Sequence, residues 1–404
     1  MSVIVDLILG VVTSIGGFVE VGSISTSAQA GSEFGFQLLW AVAAAGLMLA
    51  MLVEMAGRLA AVSKQPLAAA VRERFGIQFQ IVPLGAELLL DLLLLAAEIG
   101  GVGIALKLAT GVGFQWWIVP IGIAIWTMLS TCGFGIIEYG IGLLGLVTLS
   151  FVVAAWRLGP NQHDLTRSLI PSLPQHDAVR YAFIAVSIVG ATVSPYLLNF
   201  YSSGTVEEKM TEKELWVNRV TAYMGTGFGT VVSMGILVTS AMVLGPRSIH
   251  VDSYDQAALM FVPAFGRWAI ALFALSLGIG CFGAAVEISL NGGYVASQVL
   301  GWAWGANRPR GSATRFTAAF TLLLLVSLAI AILGFDPLQL TMISVALTVV
   351  VMPLMVLPFL VLMNDERFVK QHTSTAIGNG FLAALTILGA LLAIVVIPLE
   401  VLGG

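Results

Sequence analysis

The sequence predicts an all-α polytopic membrane protein, and three observations carry that reading. Of 404 residues, 58% are hydrophobic and 10% charged, whereas a soluble domain keeps about a quarter of its residues charged. Apolar runs of about 20 residues, the length a helix needs to cross the hydrocarbon, recur along the whole chain, and mean hydropathy is +0.98. No loop between them is long enough to hold a separate soluble domain.

Eleven spans are expected, at 4–25, 37–62, 80–108, 115–133, 136–157, 179–203, 217–245, 262–300, 314–334, 338–363 and 374–402. Span 1 lacks a basic n-region and a small-residue cleavage pattern, so it reads as a membrane helix and not a signal peptide. Span 2 holds Glu54 and Arg58 at i, i+4, an expected interfacial pair. Span 3 carries Glu87, Asp91 and Glu98 at i, i+4, i+11, on one helical face. Spans 4 and 5 are plain apolar runs, with Glu138 expected at the interface. Span 6 contains Pro195. Spans 7 and 8 are dense in small residues, at "GTGFG" (Gly225 to Gly229) and "GIGCFG" (Gly278 to Gly283). The second fits G-x-G-x-x-G, but no βαβ pattern surrounds it; close helix packing is the expected role. Spans 9 to 11 complete the bundle.

Several function classes are excluded. No H-E-x-x-H motif and no paired Cys/His spacing for zinc occurs. The formal net charge of −4 comes with no basic or acidic tail, so nucleic acid is not an expected partner. Cys132 and Cys281 fall in apolar segments as packing residues. His163, His176, His250 and His372 all lie in expected loops, so none is available as a membrane-embedded ligand or relay.

Orientation follows from the basic residues. Twelve of eighteen lie in loops on one side (Arg58, Lys64, Arg72, Arg74, Lys209, Lys213, Arg219, Arg308, Arg310, Arg315, Arg367, Lys370) and six on the other. The N-terminus is therefore expected in the cytoplasm and the C-terminus outside, as in a bacterial inner membrane.

An ionisable side chain at mid-bilayer costs at least ~2.5–3.5 kcal/mol and marks function by default. Glu20, Glu87, Asp91, Glu98 and Glu287 are the candidates, with Glu20 and Glu98 favoured because no cation lies near them in sequence. Glu20 sits in "GGFVEVGSIS", where Gly16, Gly17 and Gly22 loosen span 1. In span 6, "VGATVSPYLLNFYSSG", Pro195 removes a backbone donor and Gly190 loosens the turn before it. Spans 1 and 6 begin two five-span halves, and interrupted segments at matching positions point to a transporter's substrate site. Unwound backbone supplies polar groups that lipid cannot satisfy but an ion can. Glu20 supplies charge for a cation.

The chain resembles the natural resistance-associated macrophage protein (NRAMP) family of divalent-metal transporters from about residue 9 to 390. The resemblance rests on "STSAQAGSEFGFQLLW" (Ser25 to Trp40), "GRLAAVSKQPLAAAVRERFG" (Gly57 to Gly76), "AAEIGGVGIAL" (Ala96 to Leu106), "VGATVSPYLL" (Val189 to Leu198), "LNGGYVASQVL" (Leu290 to Leu300) and "VMPLMVLPFLVLMND" (Val351 to Asp365). It implies a LeuT-like fold of two inverted five-helix repeats (1–157 and 179–363), an eleventh helix (374–402), and spans 1 and 6 unwound around the ion. The departures are specific. The family's D-P-G-N is Glu20, Val21, Gly22, Ser23 here, and its A-T-V-M-P-H is Ala191, Thr192, Val193, Ser194, Pro195, Tyr196. A second family histidine is matched by Tyr201, a span-10 glutamine by Val351, and an aspartate of the span-3 D-L-A-E stretch by Leu95, while its glutamate is kept as Glu98.

The family thioether and histidines are therefore absent. A thioether favours softer transition metals, whereas carboxylate, hydroxyl, carbonyl and water favour hard ions such as Mg²⁺ or Ca²⁺, so its loss weakens the case for Mn²⁺ or Fe²⁺ as the preferred substrate. The expected ion site is Glu20, Val21, Ser23, the Ala191 carbonyl and Ser194. Tyr196 and Asn199 are expected along the path, and Glu98 and Asp91 as path or coupling carboxylates. No cofactor is expected besides the transported metal ion, with H⁺ a candidate coupling ion. The partners are the bilayer and the metal. The alternative is an organic cation or small zwitterion on the same fold; the residues leave the preferred ion and the oligomeric state open.

Overall fold

The computed structural model describes residues 20–401 except 173, 175 and 309. Among the described residues the fold is α-helical with no strand, and nine helices are long and apolar enough to cross a membrane. The principal helices are α1 (Val21–Phe34), α2 (Leu39–Ser63), α3 (Leu67–Phe75), α4 (Ile77–Thr110), α5 (Gln115–Thr131), α6 (Phe134–Gly145) and α7 (Leu149–Leu158). They continue with α8 (Ala178–Thr192), α9 (Pro195–Glu207), α10 (Leu215–Val243), α11 (Ala269–Leu300), α12 (Thr314–Ile332), α13 (Pro337–Leu362) and α14 (Ala376–Val401). Spans 2 to 11 each correspond to one or two of these. Span 4 is α5, whose 17 residues sit at the short end of what crosses a bilayer.

Most of span 1, including Gly16 and Gly17, lies outside the described residues. Its other boundary is a correction: the helix does not end near 25 but continues to Phe34. Ser25 to Phe34 is too polar to face lipid and reads as a loop on hydropathy. It is helical because it is buried in protein, packed along α10. Ser240 donates to the Ala28 carbonyl at 2.6 Å, and a Cβ on Gly31 would stand 2.2 Å from the Leu237 carbonyl oxygen. Span 8 is also revised, its continuous helix starting at Ala269 after short turns.

The loops sort to two ends of the bundle. At one end Arg74 pairs with Asp365 (3.0 Å), Lys370 with Glu212, and Lys64 donates to the Met210 carbonyl (2.8 Å). At the other, Lys107 pairs with Asp255 (2.7 Å), and Arg180 pairs with both Glu33 (2.8 Å) and Glu400 (2.9 Å). Glu54 meets Arg58 at 3.1 Å, the structural pairing expected from their spacing. Between the ends, α4 packs against α11, α12 and α13, while α1 packs against α8 and α10. This arrangement brings the start of α1 against the α8–α9 junction.

Candidate functional site

The site is built where a break in span 6 meets the start of α1. Span 6 breaks at Val193 and Ser194, between α8 and α9. Pro195 stands four residues after Ala191, so the amide that would have closed the helical bond to the Ala191 carbonyl does not exist. Among the described residues no donor reaches that oxygen. Gly190 permits the approach of α8 to α13: a Cβ there would lie 1.8 Å from the Val345 carbonyl oxygen.

On span 1, Glu20 is extended (φ −116°, ψ 175°) and the helix starts at Val21. The first amides of a helix have no intrahelical partner. Here the Val21 N–H donates to Glu98 Oε1 at 3.0 Å, so a carboxylate from α4 caps the positive end of α1. A Cβ on Gly22 would sit 3.2 Å from Ala191 Cβ and 3.0 Å from Val345 Cγ1, which measures how closely the two breaks abut.

Glu20 lies between them and is 1% exposed. Tyr196 donates its hydroxyl to Glu20 Oε2 at 2.6 Å, and Ser194 Oγ lies 3.4 Å from Oε1 with the Gly190 carbonyl as a competing acceptor at 3.3 Å. The structure thus brings together Glu20, Ser194, Tyr196, Ala191 and, through the Val21 amide, Glu98. Ser23 lines a narrow cavity with Thr192, Thr226, Thr230 and Ser233, beside α2 and α10. Asn199, one turn along α9 from Pro195, donates to both oxygens of Glu87 (2.8 and 3.0 Å). Asp91 accepts from Asn291 at 3.0 Å.

Glu20, Glu87, Asp91, Glu98 and Glu287 are each no more than 4% exposed. None has an ionic partner among the described residues. Burying a charged carboxylate without a partner is costly, which sets these five acids apart from the ion-paired acids at the ends of the bundle. No group of three or more His, Cys, Asp or Glu poised to hold a metal occurs among the described residues. The donors near Glu20 are carbonyl and hydroxyl oxygens. Sequence reading missed Asn291 and the capping role of Glu98. The first was visible only as an amide inside an apolar helix; the second joins residues 77 positions apart.

A bundle of apolar helices in which a broken span and the start of another helix meet at a buried acid has the architecture of a membrane transporter of the LeuT-like class. The fold superposes on the Eremococcus coleocola manganese transporter with a TM-score of 0.79 at 18% identity, covering 96% of this chain and 85% of that one. It also superposes on Mhp1, a nucleobase-cation-symport-1 family transporter, with a TM-score of 0.66 at 15% identity, covering 97% and 92%. Within that class, the chain belongs to the natural resistance-associated macrophage protein-like family, whose model matches residues 10–398. It is 26% identical over 385 residues to the divalent metal cation transporter MntH of Klebsiella pneumoniae subsp. pneumoniae, covering 89% of this chain and 86% of the relative.

Proposed function

We propose that this chain carries divalent metal cations across the cytoplasmic membrane of a bacterium by alternating access, with a preference for hard ions such as Mg²⁺. The observation that supports it most is Glu20, a buried acid without a cationic partner, set against a carbonyl that Pro195 deprives of its donor. Family membership and the metal-transporting relatives point the same way.

In this reading Glu20 neutralises the ion, and the Ala191 carbonyl and Ser194 hydroxyl contribute oxygens. Tyr196 steadies the carboxylate through one oxygen and leaves the other for the ion. Ser23 contributes through water or after a local shift, because its side chain lines the neighbouring cavity. Val21 takes part by its backbone, its amide being held by Glu98. Glu98 and Asp91 line the route or exchange a proton, and uptake with and without a pH gradient separates those roles. The absence of the family's thioether, which leaves a donor set of oxygen alone, supports the reading of a preference for hard ions. The repeats 1–157 and 179–363 with the helix at 374–402, and a cytoplasmic N-terminus with the C-terminus outside, belong to the same proposal. The crowding of Lys64, Arg74 and Lys370 at one end supports that orientation.

Uptake of Mg²⁺ and Mn²⁺ into proteoliposomes tests it. Glu20→Gln, which keeps size and hydrogen bonding, is expected to abolish uptake of both in a folded protein. Full retention removes Glu20 from the mechanism. Mn²⁺ uptake that excess Mg²⁺ does not inhibit removes the hard-ion preference.

A further inference from the structure

Beyond the Glu20 site, α4 carries a second group of buried acids. Gln80, Glu87, Asp91 and Glu98 fall within about 40° of one another around the helix at 3.6 residues per turn. Glu87 and Asp91, one turn apart, meet two amides from other helices. Asn291 of α11 places Nδ2 3.0 Å from Glu87 Oε1 and 3.0 Å from Asp91 Oδ2. Asn199 of α9 places Nδ2 2.8 Å from Glu87 Oε1 and 3.0 Å from Oε2. All four side chains are at least nine-tenths buried: Glu87 is 1% exposed, Asp91 2%, Asn199 5% and Asn291 0%.

Two features single this cluster out. The positive end of the Asn291 amide stands between two carboxylates, where a cation would stand, yet it brings no net charge to offset theirs. In addition, Asn199 Oδ1 and Asn291 Oδ1 are both buried without a hydrogen-bond partner. A buried acceptor without a donor costs about 1–3 kcal/mol, and two in one cluster are not explained by packing. A half-turn of either amide gives up its Nδ2 bonds to the carboxylates and puts its unbonded oxygen in their place, an arrangement that only a cation between them makes favourable. Asn199 also lines a cavity with Gln80, whose Oε1 is buried and unpartnered too, beside Leu67 and Val71 of α3.

We propose that Glu87, Asp91, Asn199 and Asn291 form a second cation site, one that takes a hard divalent ion such as Mg²⁺ or Ca²⁺. Two carboxylates balance its charge and two amide oxygens complete an all-oxygen donor set. The site lies one turn beyond the span-6 break, toward the end of the bundle that carries Arg74 and Asp365. Its existence does not rest on the Glu20 reading; its place as a waystation after Glu20 does.

Calorimetric titration of Mg²⁺ and Ca²⁺ into the purified full-length chain in detergent tests it. In Glu20→Gln, one ion per chain is expected to remain titratable. Adding Asp91→Asn or Asn291→Leu is expected to weaken that binding by about tenfold or more, because affinity follows ligand charge and count. Asn291→Asp, which adds a third carboxylate at nearly constant volume, is expected to tighten it, and this gain decides the matter even where a loss variant unfolds. The proposal is overturned when Glu20→Gln binds no ion while the wild type binds one, or when none of the three second-site changes alters the residual affinity. A wild type that binds a single ion, kept in full by Glu20→Gln and lost with Asp91→Asn, sinks the Glu20 reading and leaves this one standing.

Discussion

The two helix ends that meet at Glu20, the span-6 break and the start of α1, are made by opposite means. In span 6 a proline withholds a donor, and the result is a bare carbonyl at Ala191 with no charged group of its own. In span 1 no proline is present among the described residues. Glu20 is extended, the helix begins after it, and an acid from another helix occupies its first amide. One break therefore offers a dipole's negative end and the other offers negative charge. A cation held by carbonyls alone is easily lost, and one held by bare carboxylate alone is hard to release. Pairing the two gives attraction without a permanent trap.

The largest expected effect that breaks this contrast is at Pro195. Pro195→Ala supplies an amide four residues after the Ala191 carbonyl, at the first position of α9, where proline is well tolerated. Metal affinity by calorimetry should fall by about tenfold or more, as a factor of ten corresponds to 1.4 kcal/mol, while thermal stability changes little. Unchanged affinity would show that the carbonyl is not used. Next comes the cap on α1. Glu98→Leu leaves the Val21 amide unmet and should cost about 1–3 kcal/mol, whereas Glu98→Gln keeps an acceptor and should cost about 0.3–2 kcal/mol; thermal unfolding ranks the two, and the reverse order refutes the cap.

Smaller still is Gly22→Ala. The new methyl meets Val345 Cγ1 at 3.0 Å and Ala191 Cβ at 3.2 Å, so the breaks move apart by a few tenths of an ångström and uptake should drop a few-fold. The smallest effect is at the bundle's end, where Arg367 and then Arg74 hold the Asp365 carboxyl well below the usual carboxylate range. Its contribution is present above the unfolded value of about 3.9 and is lost as pH falls through the lowered one. Asp365→Asn should lower the unfolding temperature slightly at pH 7, leave uptake unchanged, and converge with wild type only in strong acid.

How far the site was legible depended on whether its parts were local. Pro195 and Gly190 announce a break because backbone chemistry is written in single residues. Glu20 stood out because an acid in an apolar run is expensive anywhere in it. What hydropathy misjudged was "STSAQAGSEF": polarity was taken for solvent, when the segment is helical and faces α10 through Gly31 and Ala28. The grouping of Ser23 with Glu20 came from the family motif, and Ser23 lines a cavity shared with Thr192 and α10. The partnerships of Glu98 with Val21 and of Glu87 with Asn199 and Asn291 join distant segments, and a single sequence has no periodicity that records which helix faces which.

Tyr196 closes over Glu20, leaving the acid 1% exposed. On the proposed function an ion at Glu20 arrives or departs only when helices part, and helix movements of that kind take microseconds to milliseconds. Throughput is then capped by the protein's own breathing, at roughly a thousand to a million events per second, whatever the concentration gradient. Such a molecule behaves as a turnstile and gives no resolvable single-channel current.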